Sequence, residues 1–354
     1  MITPVKPQEI QYKPKGAATA IGSLPLEDAQ KAAELMITSL QEMPTWPQLP
    51  KRTFKENMYA QYTEGFPAVV IDEQNEKLHF DTENIDALEA FYQKYLDNDI
   101  GYFKITEEYA AGLQAFIKQI EQLDKKPAVL KGQVTGPVSF GLSVRDQNDK
   151  AIIYNEQFAD VVVKGLSAKA KWQESVFQTI APASQTVIFF DEPYLVSLGS
   201  AFVALSEDAV LKYLNECLSA VEGLTGIHVC GGTDWGLIMK TKVDIIHFDA
   251  YEYFETMTLY TEQLGGFLKR GGIMGWGITP HTEKIEEESA ESLFEQLMQK
   301  IDKIVSKGVD EKRLLDQLLI APSCGAGSLS PENAKRALTL TKDVSKLFRK
   351  RYFA

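Results

Sequence analysis

Cysteine and histidine are scarce in this chain: three and four of them in 354 residues. Three thiols cannot build the disulfide framework of a secreted scaffold, and an intracellular thiol is more often buried, metal-bound or catalytic. Positive charge is also in deficit. With 37 Lys and Arg against 49 Asp and Glu, the formal net charge is −12. That balance argues against nucleic acid or an anionic membrane as a main partner, because binding either needs clustered basic residues. The basic stretch at 342–351 reads as the charged face of a terminal helix. No apolar run approaches the ~20 residues of a membrane span. The opening MITPVKPQEIQYKPKG holds no apolar leader core, so a cytoplasmic location is expected. Also missing are a fixed-period repeat, a low-complexity tract and any G-x-G-x-x-G strand-to-helix turn, the last of which disfavours an open dinucleotide-binding sheet.

What is present is an alternation of short apolar runs and long amphipathic stretches. Strands are predicted at 17–21, 101–105, 128–132, 186–190, 226–230, 244–249, 272–277 and 317–321, most without clean alternation, as suits strands buried on both faces. Helices are predicted at 27–42, 84–96, 107–121, 156–178, 206–221, 283–307 and 331–348, with starts signalled by Ser23-Leu-Pro-Leu-Glu27 and Ser330-Pro331-Glu332. Strand then helix about eight times is the pattern of an α/β (β/α)8 TIM barrel. A single domain over 1–354 is expected, with an early insertion at 43–81 containing the hairpin-like VVIDEQNEKLHFD. Cys217, on the apolar stripe of AVLKYLNECLSAV, is expected in the core.

A barrel concentrates its chemistry at the C-terminal ends of its strands. There the sequence places Ile21-Gly22-Ser23, Asp191-Glu192-Pro193, His228-Val229-Cys230-Gly231-Gly232, Asp249, Trp276 and Ser323-Cys324-Gly325. Residues two apart on a strand point the same way, so His228 and Cys230 aim at one point. Cys324 can reach the same mouth, and so can Asp249; one imidazole, two thiols and a carboxylate form a zinc-like ligand set. Of the adjacent pair Asp191 and Glu192, one should face the mouth while the other caps or pairs outside it. Trp235, Tyr251 and Trp276 are near the rim, where they either wall a pocket or pack. His247 shares a face with Asp249 and is expected as a core histidine. His281, just past the seventh strand, is a candidate acid or base.

These motifs, IGS, DEP, HVC and SCG in this order, resemble the catalytic barrel of cobalamin-independent methionine synthases. HVCGG and APSCG also resemble zinc methyltransferases that take methyl groups from corrinoid proteins, in a superfamily shared with uroporphyrinogen decarboxylase. The resemblance runs from about residue 17 to 347. It implies a zinc-dependent S-methyltransferase acting on a small thiol, homocysteine foremost, to give methionine. His228, Cys230 and Cys324 match the zinc ligands, with Asp249, or by spacing alone Glu252, as the carboxylate ligand. Ile21, Gly22 and Ser23 match the segment that holds the homocysteine carboxylate, and Asp191 matches the residue that holds its amino group. The family's catalytic histidine falls one position from His281. Two departures stand out. The family's early H-G-E motif is replaced by WPQLPKRTFKENMYAQY, with Glu56 as the nearest acidic candidate. The long enzymes' N-terminal barrel is not found in this chain, so a methylcorrinoid protein is expected as methyl donor ahead of methyltetrahydrofolate. Two other classes compete: a metal-free decarboxylase on the same barrel, and a non-catalytic thiol-binding barrel.

Overall fold

The structure is a computed structural model that describes residues 12–200 and 203–354; most of the stretch read for a leader core lies outside them. Its strands are β1 (Ala17–Ala18), β2 (Val69–Asp72), β3 (Lys77–Phe80), β4 (Val129–Thr135), β5 (Arg145–Asp146), β6 (Gln185–Asp191), β7 (Leu224–Val229), β8 (Ile245–Phe248), β9 (Ile273–Thr279) and β10 (Leu318–Pro322). Seven of these form one parallel, curled sheet in the order β1-β10-β9-β8-β7-β6-β4. Helices fill the connections, which is what parallel pairing requires. The arrangement is compatible with a barrel of the (β/α)8 type.

Residue parity explains how the sheet is buried on both faces. Ala17, Val129, Val187, Phe189, Leu224, Ile245, Ile273 and Leu319 form one apolar cluster on the inner face, joined by Met43. Residues of opposite parity, such as Leu130, Ile188, Ile227, Ile246, Met274 and Ile320, pack against the helices in a second, larger cluster. Farther along each strand the inward positions turn polar: Lys131, Gln133, Asp191, His228 and His247 are all buried. The strands therefore carry an apolar floor with a polar layer above it.

The strand expected at 101–105 is not formed. Residues Ile100–Phe103 make a 3-10 turn, closed by Tyr102 N–H donating to the Asp99 carbonyl at 3.1 Å. Phe103 packs edge-on against Phe91, Tyr95 and Tyr102; helix-side aromatic packing, not strand pairing, buries this apolar run. The space between β1 and β4 is taken instead by residues 42–48. Val129 N–H and Lys131 N–H donate to the carbonyls of Glu42 and Pro44, at 3.0 and 3.1 Å. On the other side Leu24 N–H donates to the Gln48 carbonyl and Gln48 N–H to that of Gly22. Only the isolated bridges Thr45 to Lys131 and Gln48 to Ser23 result. The physical reason lies in the sequence MPTWPQLP: Pro44 and Pro47 have no N–H to donate, so a continuous ladder cannot form. Among the described residues no eighth strand completes the sheet.

The remainder of 43–81 includes the expected hairpin, β2 and β3 paired antiparallel from Val69–Phe80 to Asp72–Lys77. Helix boundaries shift where caps decide them. The first helix spans Ala29–Ser39 because the Asp28 side chain accepts from Gln30 and Lys31 N–H, so Ser23 is not its cap. The stretch 283–307 divides into a 3-10 turn, Glu283–Glu286, and a helix, Ala290–Ser306, started by the reciprocal Ser289–Ser292 capping box. Ser330 caps the last helix, Pro331–Tyr352, as its sequence signalled. Cys217 is fully buried in the core.

Candidate functional site

β7 ends at Val229, with His228 inward and Cys230 one step beyond. β10 ends at Pro322, and two residues later comes Cys324. Two strands separate β7 from β10 in the sheet, and the curl brings their ends to one place. A ring nitrogen of His228 and the sulfurs of Cys230 and Cys324 all lie within 4.8 Å of one another. A tetrahedral zinc site holds such ligands about 3.5–3.8 Å apart, given metal–ligand lengths of about 2.0–2.3 Å, so a closure of about 1 Å suffices. His228 Nε2 is buried and has no hydrogen-bond partner. Its Nδ1 lies 2.7 Å from Nδ1 of His247. Burial, then the neighbouring His247, holds His228 well below the usual imidazole range. It is thus neutral, the form that ligates metals. The Cys324 thiol donates to Cys230, which lowers the Cys230 thiol and raises that of Cys324. A neutral imidazole with a bare, buried nitrogen and two converging thiols fits a soft divalent cation.

Asp249 lies outside this cluster. It is fully buried; Oδ1 accepts from Glu252 N–H at 2.8 Å, while Oδ2 is buried without a partner. Burial raises its carboxyl to about 6, with the Glu252 N–H opposing. Glu252, the alternative by spacing, is engaged by Lys284 at 2.7 Å. Of the two, Asp249 has the buried oxygen without a partner, whereas Glu252 is part-exposed and ion-paired.

The pair at the end of β6 divides as its alternation requires. Glu192 is buried and accepts from Val138 N–H at 3.0 Å, Ser139 N–H at 2.7 Å and the Ser139 hydroxyl at 2.6 Å. It caps the short helix Pro137–Ser143. Asp191 is on the inner side, with Oδ1 buried and unpartnered. Desolvation raises its carboxyl and Lys131 opposes the rise. Lys131, a lysine in the middle of an apolar strand, was not singled out in the sequence, although that placement is itself a signal. Its ammonium donates to the Ile21 carbonyl at 2.8 Å and sits 4.5 Å from the Phe189 ring centroid. It thereby ties the Ile21-Gly22-Ser23 segment to the charge near Asp191.

That segment is shaped by close approach. Gly22 has φ +148°, and a Cβ there would lie 2.5 Å from Gln133 Nε2. Gln133 is itself held by Thr45 and the Trp46 carbonyl. Ser23 Oγ accepts from Gly327 N–H at 3.3 Å, and its carbonyl accepts from Ala326 N–H at 3.0 Å. The residues after Cys324 are so anchored to the residues after β1. His281 Nδ1 is 2.7 Å from Ser323 Oγ, and burial lowers its imidazole. Glu56 is buried and paired to Arg52 at 2.7 Å, leaving Oε2 unpartnered.

Trp276 faces away from the barrel mouth. Its parity on β9 is that of Met274 and Ile278, the helix-facing set. Its ring packs against Phe248 and Phe254, with centroids 5.2 and 6.0 Å away. It is a packing residue, and the inward positions of β9 are Gly275 and Gly277. Of the two roles its place at a strand end left open, wall of a substrate pocket or packing, the parity of β9 gives packing.

No protein-family model matches the chain, and no curated protein matches it. Solved structures do. A B12-independent methionine synthase from Shewanella sp. W3-18-1, in complex with selenomethionine, superposes with a TM-score of 0.58 at 16% identity, covering 95% of this chain and 98% of that one. A methyltransferase from Methanosarcina mazei superposes with a TM-score of 0.54 at 13% identity, covering 98% of this chain and 95% of that one. The chain shares its fold, over nearly its full length, with these two proteins.

Proposed function

We propose that this chain is a zinc-dependent methyltransferase that moves a methyl group to a small thiol, homocysteine foremost, from a methylcorrinoid protein or methyltetrahydrofolate. The observation that carries the reading is the convergence of a ring nitrogen of His228 with the Cys230 and Cys324 sulfurs at the ends of β7 and β10; Nε2 is the ring nitrogen left without a partner. The likeness to a methionine synthase structure holding selenomethionine supports the choice of a sulfur amino acid.

His228, Cys230 and Cys324 would hold the ion, and Asp249, which lies outside their cluster with a buried, unpartnered oxygen, would be the carboxylate ligand. Bound there, Zn2+ would supply the positive charge that lowers an acceptor thiol's proton affinity and makes its sulfur nucleophilic at neutral pH. The remaining work falls to the chain. Asp191 presents its unpartnered Oδ1 to the acceptor's ammonium group, and the Ile21-Gly22-Ser23 backbone receives its carboxylate. Two-point attachment fixes the sulfur relative to the methyl donor and lowers the entropic cost of an in-line transfer. His281, neutral at pH 7 because burial lowers its imidazole, accepts the thiol proton at Nε2 while Nδ1 stays with Ser323. With a folate donor it returns a proton to the departing nitrogen; a corrinoid donor needs none.

The test is incubation of untagged protein with homocysteine and either methylcobalamin or methyltetrahydrofolate, followed for methionine. Turnover that disappears in Cys230→Ser and Cys324→Ser supports the reading. Zinc below about half an equivalent, with no methionine from either donor, sinks it.

A further inference from the structure

His247 belongs to no ligand or substrate role described above, yet it is buried beside the ligand cluster. Parallel register puts His228, His247 and Gly275 side by side across β7, β8 and β9. The two imidazoles meet with ring centroids 4.7 Å apart at 61°, and their Nδ1 atoms are 2.7 Å apart. Room for the second ring comes from glycines on the next strand. A Cβ at Gly275 would lie 2.9 Å from His247 Cδ2, and one at Gly277 would lie 3.1 Å from Cε1.

Two ring nitrogens at hydrogen-bond distance need one proton between them. If His247 owned it, neutral His228 would carry its own proton on Nε2, its one unpartnered nitrogen, which could then not ligate. If His228 owns it, Nε2 is a bare lone pair, and neutral His247 carries its proton on Nε2, which is buried without a hydrogen-bond partner. Ligating histidines are ordinarily oriented by a carbonyl, carboxylate or water on the other nitrogen; here the partner is a second imidazole.

We propose that His247 is a positioning residue that accepts the Nδ1–H of His228 and so fixes the tautomer and ring orientation in which His228 Nε2 binds the metal. The proposal rests on the reading of His228 as a metal ligand. His247 itself does not touch the ion.

Zinc affinity of untagged protein, measured by competition with a chromophoric chelator, tests it alongside metal-free thermal stability. His247→Leu removes the acceptor; His247→Asn places a carbonyl oxygen near the position of Nδ1. The expected result is zinc binding weaker by about 10–100-fold in His247→Leu and restored to within about threefold of wild type in His247→Asn. Equal affinity in wild type and a folded His247→Leu overturns the proposal, as does equal loss in both variants. Should His247→Leu not fold, 15N-histidine NMR of the zinc-loaded wild type decides. With four histidines in the chain, the ring signals are assignable. A protonated Nδ1 on His228 and a bare Nδ1 on His247 support the proposal; the reverse overturns it. Wild-type protein that binds no zinc would instead defeat the functional reading. The metal-free spectrum would still report which ring holds the shared proton.

Discussion

At the residue scale, burial and unmet hydrogen bonds separate working side chains from packing ones. Asp191 has a buried, unpartnered oxygen, whereas its neighbour Glu192 is saturated by two N–H groups and a hydroxyl. Asp191→Asn is therefore expected to raise the acceptor KM by about 10-fold or more, as loss of a charged contact costing about 1.5–3 kcal/mol would, while zinc content stays unchanged. Steady-state kinetics with metal analysis checks both. Trp276→Phe is expected to leave that KM within about twofold, because the ring packs on the helix-facing side; a tenfold rise would return Trp276 to the pocket. The alternation rule made the split between Asp191 and Glu192 legible in the sequence, and it made His228 and Cys230 neighbours. Trp276 stayed undecided between pocket and packing because its strand-end position alone does not give its parity. His247 was read as a core residue, since nothing in one strand tells which side chain of the next strand will lie beside it.

At the element scale, the least legible part was the stave between β1 and β4. A proline-rich stretch reads as an insertion, and the segment at 42–48 makes only two bridges for the reason that misled the reading: its prolines cannot donate. The apolar run at 101–105 looked like the missing strand because burial in an aromatic cluster and burial in a sheet leave the same composition. The seven other strands were recognisable from their apolar runs, with ends displaced by a few residues. The tight contact between the 42–48 segment, Gln133 and Gly22 has a measurable consequence. Gly22→Ala places a methyl group against Gln133 at a positive φ, and is expected to cost about 1–3 kcal/mol. Urea unfolding reads this, and an unchanged midpoint would contradict the packing described.

At the scale of the whole molecule, the buried charges give the fold a pH signature. Lys169 is fully buried, and desolvation lowers its ammonium to about 7, with Glu64 opposing. Its partners are the carbonyls of Phe103 and Lys104, each at 3.4 Å. Between pH 7 and about 10.5 the unfolded chain holds this proton more firmly than the folded one. Stability from this group therefore rises with pH across that window. Comparing wild type with Lys169→Met by urea unfolding at pH 7 and pH 9.5, the wild type should gain relative to the variant at the higher pH. A constant difference would mean that Lys169 keeps its ordinary proton affinity in the fold.

The central claim, that the ends of β7 and β10 hold a zinc ion on which a thiol is activated, is tested most directly by zinc X-ray absorption on untagged protein with and without homocysteine. The account expects about one zinc per chain, a first shell of two sulfurs with nitrogen or oxygen donors, and a third sulfur at about 2.3 Å when homocysteine is added. A shell without sulfur, or one whose sulfur count is unchanged by saturating homocysteine, would contradict it.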